Sequence, residues 1–98
     1  MVRGTTPTIK YHIGLDTSTI VECVISFKQA KTELFQKTYN EVELSNKMVS
    51  VTLTQEETFG FHAGKLMTQI KVKTQDGKVY ASPVLEMKVH EALCCDVI

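Results

Sequence analysis

The sequence predicts an all-β fold: a single antiparallel two-sheet sandwich of about seven strands, immunoglobulin-like or fibronectin-like, with one short helical turn near residues 55–61. Three observations predict it. Apolar and polar residues alternate with period two in short runs, as in Leu66–Lys73. Turn chemistry separates the runs at regular intervals. One capping box interrupts them, Thr54 with Glu57 three residues on. A chain of 98 residues suits one domain with one core and needs no staples.

Residues 1–6 are small and polar and form an arm, either flexible or docked. Pro7 suits the first position of an edge strand, where no N–H is required. Ile9, Tyr11 and Ile13 then alternate with polar residues. Asp16-Thr17-Ser18-Thr19 is a turn cluster whose short side chains bond nearby backbone. From Ile20 to Lys28 the chain is rich in β-branched residues. Val21, Cys23, Ile25 and Phe27 share one face, and apolar Ile20 and Val24 on the other point to a central strand. Leu34–Tyr39 is the next strand, and its pattern leaves open which side faces inward. Val42 and Leu44 make a short strand, and Val49, Val51 and Leu53 line the inner face of another.

Gly60 and Gly64 limit the helix that starts at Thr54, and Phe59 and Phe61 plug the end of the core. Leu66, Thr68, Ile70 and Val72 form the buried face of the following strand. Asp76-Gly77 predicts a two-residue hairpin turn with positive φ at both central positions. Val79, Ala81, Pro83, Leu85, Met87 and Val89 continue on one face of a strand that is an edge, or bulged, at Pro83. The domain therefore spans 7–90, and 91–98 is an apolar tail whose Leu93, Val97 and Ile98 pack on the domain or on a neighbour.

Composition excludes several function classes. The formal net charge is zero and Lys and Glu are interspersed, so no basic field holds nucleic acid or an anionic membrane. No apolar run approaches the ~18 residues that span a bilayer. The first residues lack the apolar stretch of a secretory signal, so the chain is expected to stay in the cytoplasm where it is made. Three cysteines, Cys23, Cys94 and Cys95, have no framework spacing. Cys23 reads as a small buried hydrophobe; of adjacent Cys94 and Cys95, one packs and the other stays accessible.

Candidate chemistry is sparse. His12, His62 and His90 lack metal-ligand spacing with one another or with the cysteines, so no metal and no cofactor is expected. Glu56 and Glu57 are adjacent carboxylates that diverge by about 100° on a helix, and Glu57 already caps. Cys94 or Cys95 with His90 matches a nucleophile pair in composition alone, with no feature that lowers a thiol pKa. Lys65, Lys71, Lys73 and Lys78 read as a solvated strand face. No catalytic residue is assigned and no enzyme is expected. Surfaces for partners remain: Arg3, Gly4, Thr5, Thr6, Pro7 and Thr8 of the arm, and Leu93, Val97 and Ile98 of the tail.

Several segments together carry a family resemblance: Arg3-Gly4-Thr5-Thr6-Pro7-Thr8, Val51-Thr52-Leu53-Thr54-Gln55-Glu56-Glu57-Thr58, Gln69-Ile70-Lys71-Val72 to Asp76-Gly77, and Ala81-Ser82. The chain resembles small sandwich proteins, roughly a hundred residues long, of tailed phages and prophages of Gram-positive gut bacteria. More distantly, it is similar to the N-terminal sandwich of phage baseplate upper proteins. The resemblance covers nearly the whole chain, and its motifs are structural. It implies a non-enzymatic structural or adaptor component of a virion or phage-derived tail machine, associated with tail, baseplate or fibre. The implied partners are other phage structural proteins and repeated copies of the chain, assembled in the bacterial cytoplasm. Cys94-Cys95 departs from the more acidic tail of that family. Two other readings are a capsid decoration or head-fibre protein, and a carbohydrate- or host-surface-binding module in which Tyr11, Tyr39 and Tyr80 supply stacking surfaces.

Overall fold

A computed structural model describes residues 1–30 and 32–93. Alternating runs become strands: β1 (Thr8–His12), β2 (Ile20–Gln29), β3 (Thr32–Thr38), β4 (Glu43–Ser45), β5 (Met48–Thr52), β6 (Gly64–Thr74), β7 (Val79–Ala81) and β8 (Leu85–Val89). The capping box starts the single α-helix among the described residues, α1 (Gln55–Phe59), between β5 and β6. One sheet has the order β1-β5-β4. The other runs β3-β2-β6, with β7 and β8 sharing the far edge of β6. All these strand ladders are antiparallel.

Taking β1 as strand B, the two sheets read D-E-B and C′-C-F-G, with β7 and β8 together as G. That is the strand order of an immunoglobulin sandwich. In antibody domains a disulfide joins strands B and F across the core. Here the corresponding strands are tied by a hydrogen bond, Tyr11 Oη to Thr68 Oγ1 at 2.6 Å. Around it lie the buried side chains Cys23, Ile25 and Phe27 of β2, Val49 and Val51 of β5, and Leu66, Ile70 and Val72 of β6. Burial pushes the Tyr11 phenol up to about 12 despite the Thr68 hydrogen bond, and the Cys23 thiol up to about 11. Phe61, just past α1, closes one end of the core and stacks on Phe35 with ring centroids 5.6 Å apart.

β3 resolves the face that the pattern left open. Phe35 and Lys37 turn inward, and Lys37 is buried. Its ammonium meets Glu57 Oε2 at 2.7 Å and Glu41 Oε2 at 3.4 Å. Each carboxylate also secures a chain reversal. Glu57 accepts the Thr54 N–H at 2.9 Å while Thr54 Oγ1 accepts the Glu57 N–H at 3.2 Å; Glu41 accepts the Thr38 N–H at 3.2 Å. One lysine thus joins the helix that crosses between sheets to the turn that leaves β3. Burial works against its charge, but Glu57 and Glu41 outweigh burial and raise its pKa.

Four expectations are corrected. Val21 does not join Cys23, Ile25 and Phe27. A bulge between Ile20 and Glu22 leaves Val21 in solvent and turns Ile20 into the core instead. The hairpin after β6 is not a two-residue turn. Gly77 N–H bonds Thr74 C=O, Thr74 N–H bonds Lys78 C=O, and positive φ falls on Gly77 alone at +84°. This is a three-residue loop, a turn followed by a left-handed residue. The run 79–89 is not one strand of constant phase. The segment Ser82–Val84 interrupts it at Pro83, so Tyr80 pairs with inward Val72 while Val79 and Ala81 face outward. The interruption accounts for eight strands where about seven were expected. Finally, Tyr11 is buried and bonded, so it supplies no stacking surface for a sugar.

Candidate partner-binding surface

The arm is docked, and the sequence shows how. Gly4 takes φ +76°, which lets the chain turn across the Phe59 ring. Thr5 Oγ1 closes the turn on Val2 C=O at 2.6 Å. Val2 bridges His90 in parallel, and Arg3 N–H bonds His90 C=O at 3.0 Å while His90 N–H bonds Met1 C=O at 2.7 Å. The arm therefore extends the edge of β8. Its other side rests on α1: Gln55 Nε2 donates to Gly4 C=O at 3.2 Å and Thr58 Oγ1 to Thr5 C=O at 2.8 Å.

Arg3 is the pivot. Its Nη2 donates to Phe59 C=O at 2.8 Å, satisfying a carbonyl that the helix end would otherwise leave open. Its Nη1 pairs with Glu91. Its Nε is buried with no partner among the described residues, which offsets part of the gain.

The nine residues expected to contact partners divide by role. Arg3, Gly4 and Pro7 are half-buried and hold the arm down. Thr5, Thr6 and Thr8 face solvent, although Thr8 Oγ1 also meets Thr52 Oγ1 at 2.8 Å. Leu93 is fully exposed. Val97 and Ile98 lie outside the described residues, as do Cys94 and Cys95. The Arg3–Glu91 and Val2–His90 contacts bring the start of the chain and the 90–93 segment together at one pole beside α1.

Replacing Gly4 with alanine is expected to release the arm. A Cβ would run into the Phe59 ring, and L residues are strained at this φ. The expected cost is about 2 kcal/mol, read as a lower urea midpoint together with faster exchange of the Arg3 amide. An Arg3 amide as protected as in the parent would mean that Gly4 does not set the docking.

A concave feature lies at the opposite end, between the segment after β1 and β7 with the residues that follow it. A cleft of about 320 Å³ separates His12–Leu15 from Tyr80–Pro83, with Ile70 and Val72 at its floor. Val79 and Leu85 are exposed, against the single alternating face that the sequence pattern carried through Pro83; Tyr80, which lines the cleft, and Val84 are exposed as well. His12 lines the cleft, His62 is exposed near α1, and His90 holds the arm, so the three histidines do not converge. Among the described residues, no three His, Cys, Asp or Glu side chains group as metal ligands. Compared with known proteins, the chain matches no family model, no curated protein and no solved structure.

Proposed function

We propose that the chain is a non-enzymatic structural or adaptor component of a phage particle or phage-derived tail machine, placed in the tail, baseplate or fibre region. It acts through protein contacts at the pole where its arm and its 90–93 segment meet. The observation that carries this reading is the Arg3–Glu91 and Val2–His90 junction, which gathers two candidate contact segments into one surface. Two segments that carry the phage resemblance also fold against each other there, 3–8 and 51–58, through Gly4, Gln55 and Thr58. An arm held down in advance loses less freedom on binding than a free one, which favours assembly through small contacts repeated many times.

The test uses particles released by cells that encode the chain. Purified tails and whole particles are digested and the peptides quantified by mass spectrometry. The chain is expected with the tail fraction, and an Arg3→Glu, Leu93→Asp variant is expected to fall at least about tenfold in particles while its fold is retained, because a few central residues dominate such contacts. Absence of the parent chain from every particle fraction would end this reading. Recovery with heads alone would move the chain to capsid decoration.

A further inference from the structure

We propose that β7 pairs edge to edge with β7 of a second copy, joining two chains into one continuous antiparallel sheet about a two-fold axis at Tyr80. This goes beyond the particle assignment and does not depend on it.

The backbone is set for the pairing. Thr74 N–H bonds Lys78 C=O, and Ser82 N–H bonds Ile70 C=O, each at 2.9 Å. Bonded pairs recur at every second residue of an antiparallel ladder, so Tyr80, opposite Val72, turns its N–H and C=O toward β6. Val79 and Ala81 turn theirs away. β7 pairs with β6 alone among the described strands, so that outer side is open. A two-fold at Tyr80 sets Val79 against Ala81 of the second copy, and the reverse, with an N–H···O=C bond in each direction. The two Tyr80 side chains then meet as a cross-strand aromatic pair on the cleft side. Val79 and Ala81 form apolar pairs on the outer face.

Charge selects the occupant. The stretch 79–85 carries no charged residue and exposes Val79 (56%), Tyr80 (41%), Val84 (57%) and Leu85 (42%). An identical copy therefore sets apolar on apolar with no repulsion. The other edges are guarded. β1 centres on Lys10, so a two-fold there opposes two lysines. β3 carries Glu33 and inward Lys37, β4 carries Glu43, and β8 carries Glu86 and Lys88 and receives the arm at its end.

The experiment is sedimentation of the full chain over a concentration series, with Cys94→Ser and Cys95→Ser in every sample. A species of twice the 11.0 kDa chain mass is expected as concentration rises. Ala81→Pro removes an outward N–H and leaves the β6 ladder intact, so it is expected to give a monomer with unchanged melting. Tyr80→Cys brings two thiols to the axis, where paired Cα atoms lie about 4.5 Å apart, within reach of a disulfide. Oxidation is expected to yield a covalent dimer that reductant releases, and Glu56→Cys, remote from β7, is expected to yield none. A monomer at every concentration overturns the proposal. So does a dimer that survives Ala81→Pro and leaves Tyr80→Cys uncross-linked. Either result leaves the particle assignment, tested through Arg3 and Leu93, where it stood.

Discussion

Replacing Lys37 with alanine is expected to cost about 3 kcal/mol, a loss of roughly 15 °C in Tm for a domain this small. The Lys37 side chain keeps 10% of its surface in solvent, Glu57 keeps 24% and Glu41 keeps 46%. Removing the ammonium leaves Glu57 sheltered and unpaired, the situation in which a broken ion pair is most costly. Glu41 can turn to water and contributes less. Alanine also removes the stem that lies beside Phe35, whose ring centroid is 6.0 Å from the ammonium. Lys37→Met separates the two effects by keeping the stem. Pairing Lys37→Met with Glu57→Gln is expected to recover more than half of the charge penalty in a double-mutant cycle. If Lys37→Met melts within a degree or two of the parent, the three-way pairing contributes nothing and the argument fails.

Stability is expected to fall steadily above pH 9, and the sign follows from proton counts. Cys23 has an ordinary pKa of 9.0 and a folded one of about 11; Tyr11 goes from 10.0 to about 12. Between those limits the unfolded chain has released protons that the folded chain still holds, so raising pH favours unfolding. Each gap is worth about 2–3 kcal/mol once pH passes the folded value. Lys37 acts in the same direction: its contribution is complete below 10.5 and is lost as pH rises through its raised folded pKa. The acid limb is separate. Burial opposes the charge of Glu57, but Lys37 and the Thr54 N–H outweigh it and hold the carboxyl below its ordinary 4.5. That contribution is present above 4.5 and lost as pH falls through the folded value. Urea titrations from about pH 2 to about pH 12 measure both limbs. Tyr11→Phe is expected to flatten the alkaline one, and an unchanged slope in that variant would remove Tyr11 from the account.

Much of this architecture is legible in the chain. Thr54 and Glu57 announce α1 because a capping box is a local device, and Leu66–Lys73 announces β6 because alternation over a long run has one interpretation. What the chain hides depends on partners distant in sequence. The pattern around Lys37 favours neither face until Glu57, twenty positions on, comes beside it. Val21 looks inward because a bulge shifts the phase with no glycine or proline to mark it. Asp76-Gly77 marks a turn correctly but not its length, which Thr74 and Lys78 decide by pairing across it. The surface at the arm was half legible. The glycine and threonines stand out, but Glu91 as the partner of Arg3 is a tertiary fact.

The tie between Tyr11 and Thr68 has an electrochemical consequence. Where an antibody domain closes its two sheets with a bond that thiols can cut, this sandwich uses an O–H···O contact that exchanges no electrons. That brace is the same in glutathione and in air, so the clasp at the centre of the core neither opens nor closes when the redox conditions around the domain change.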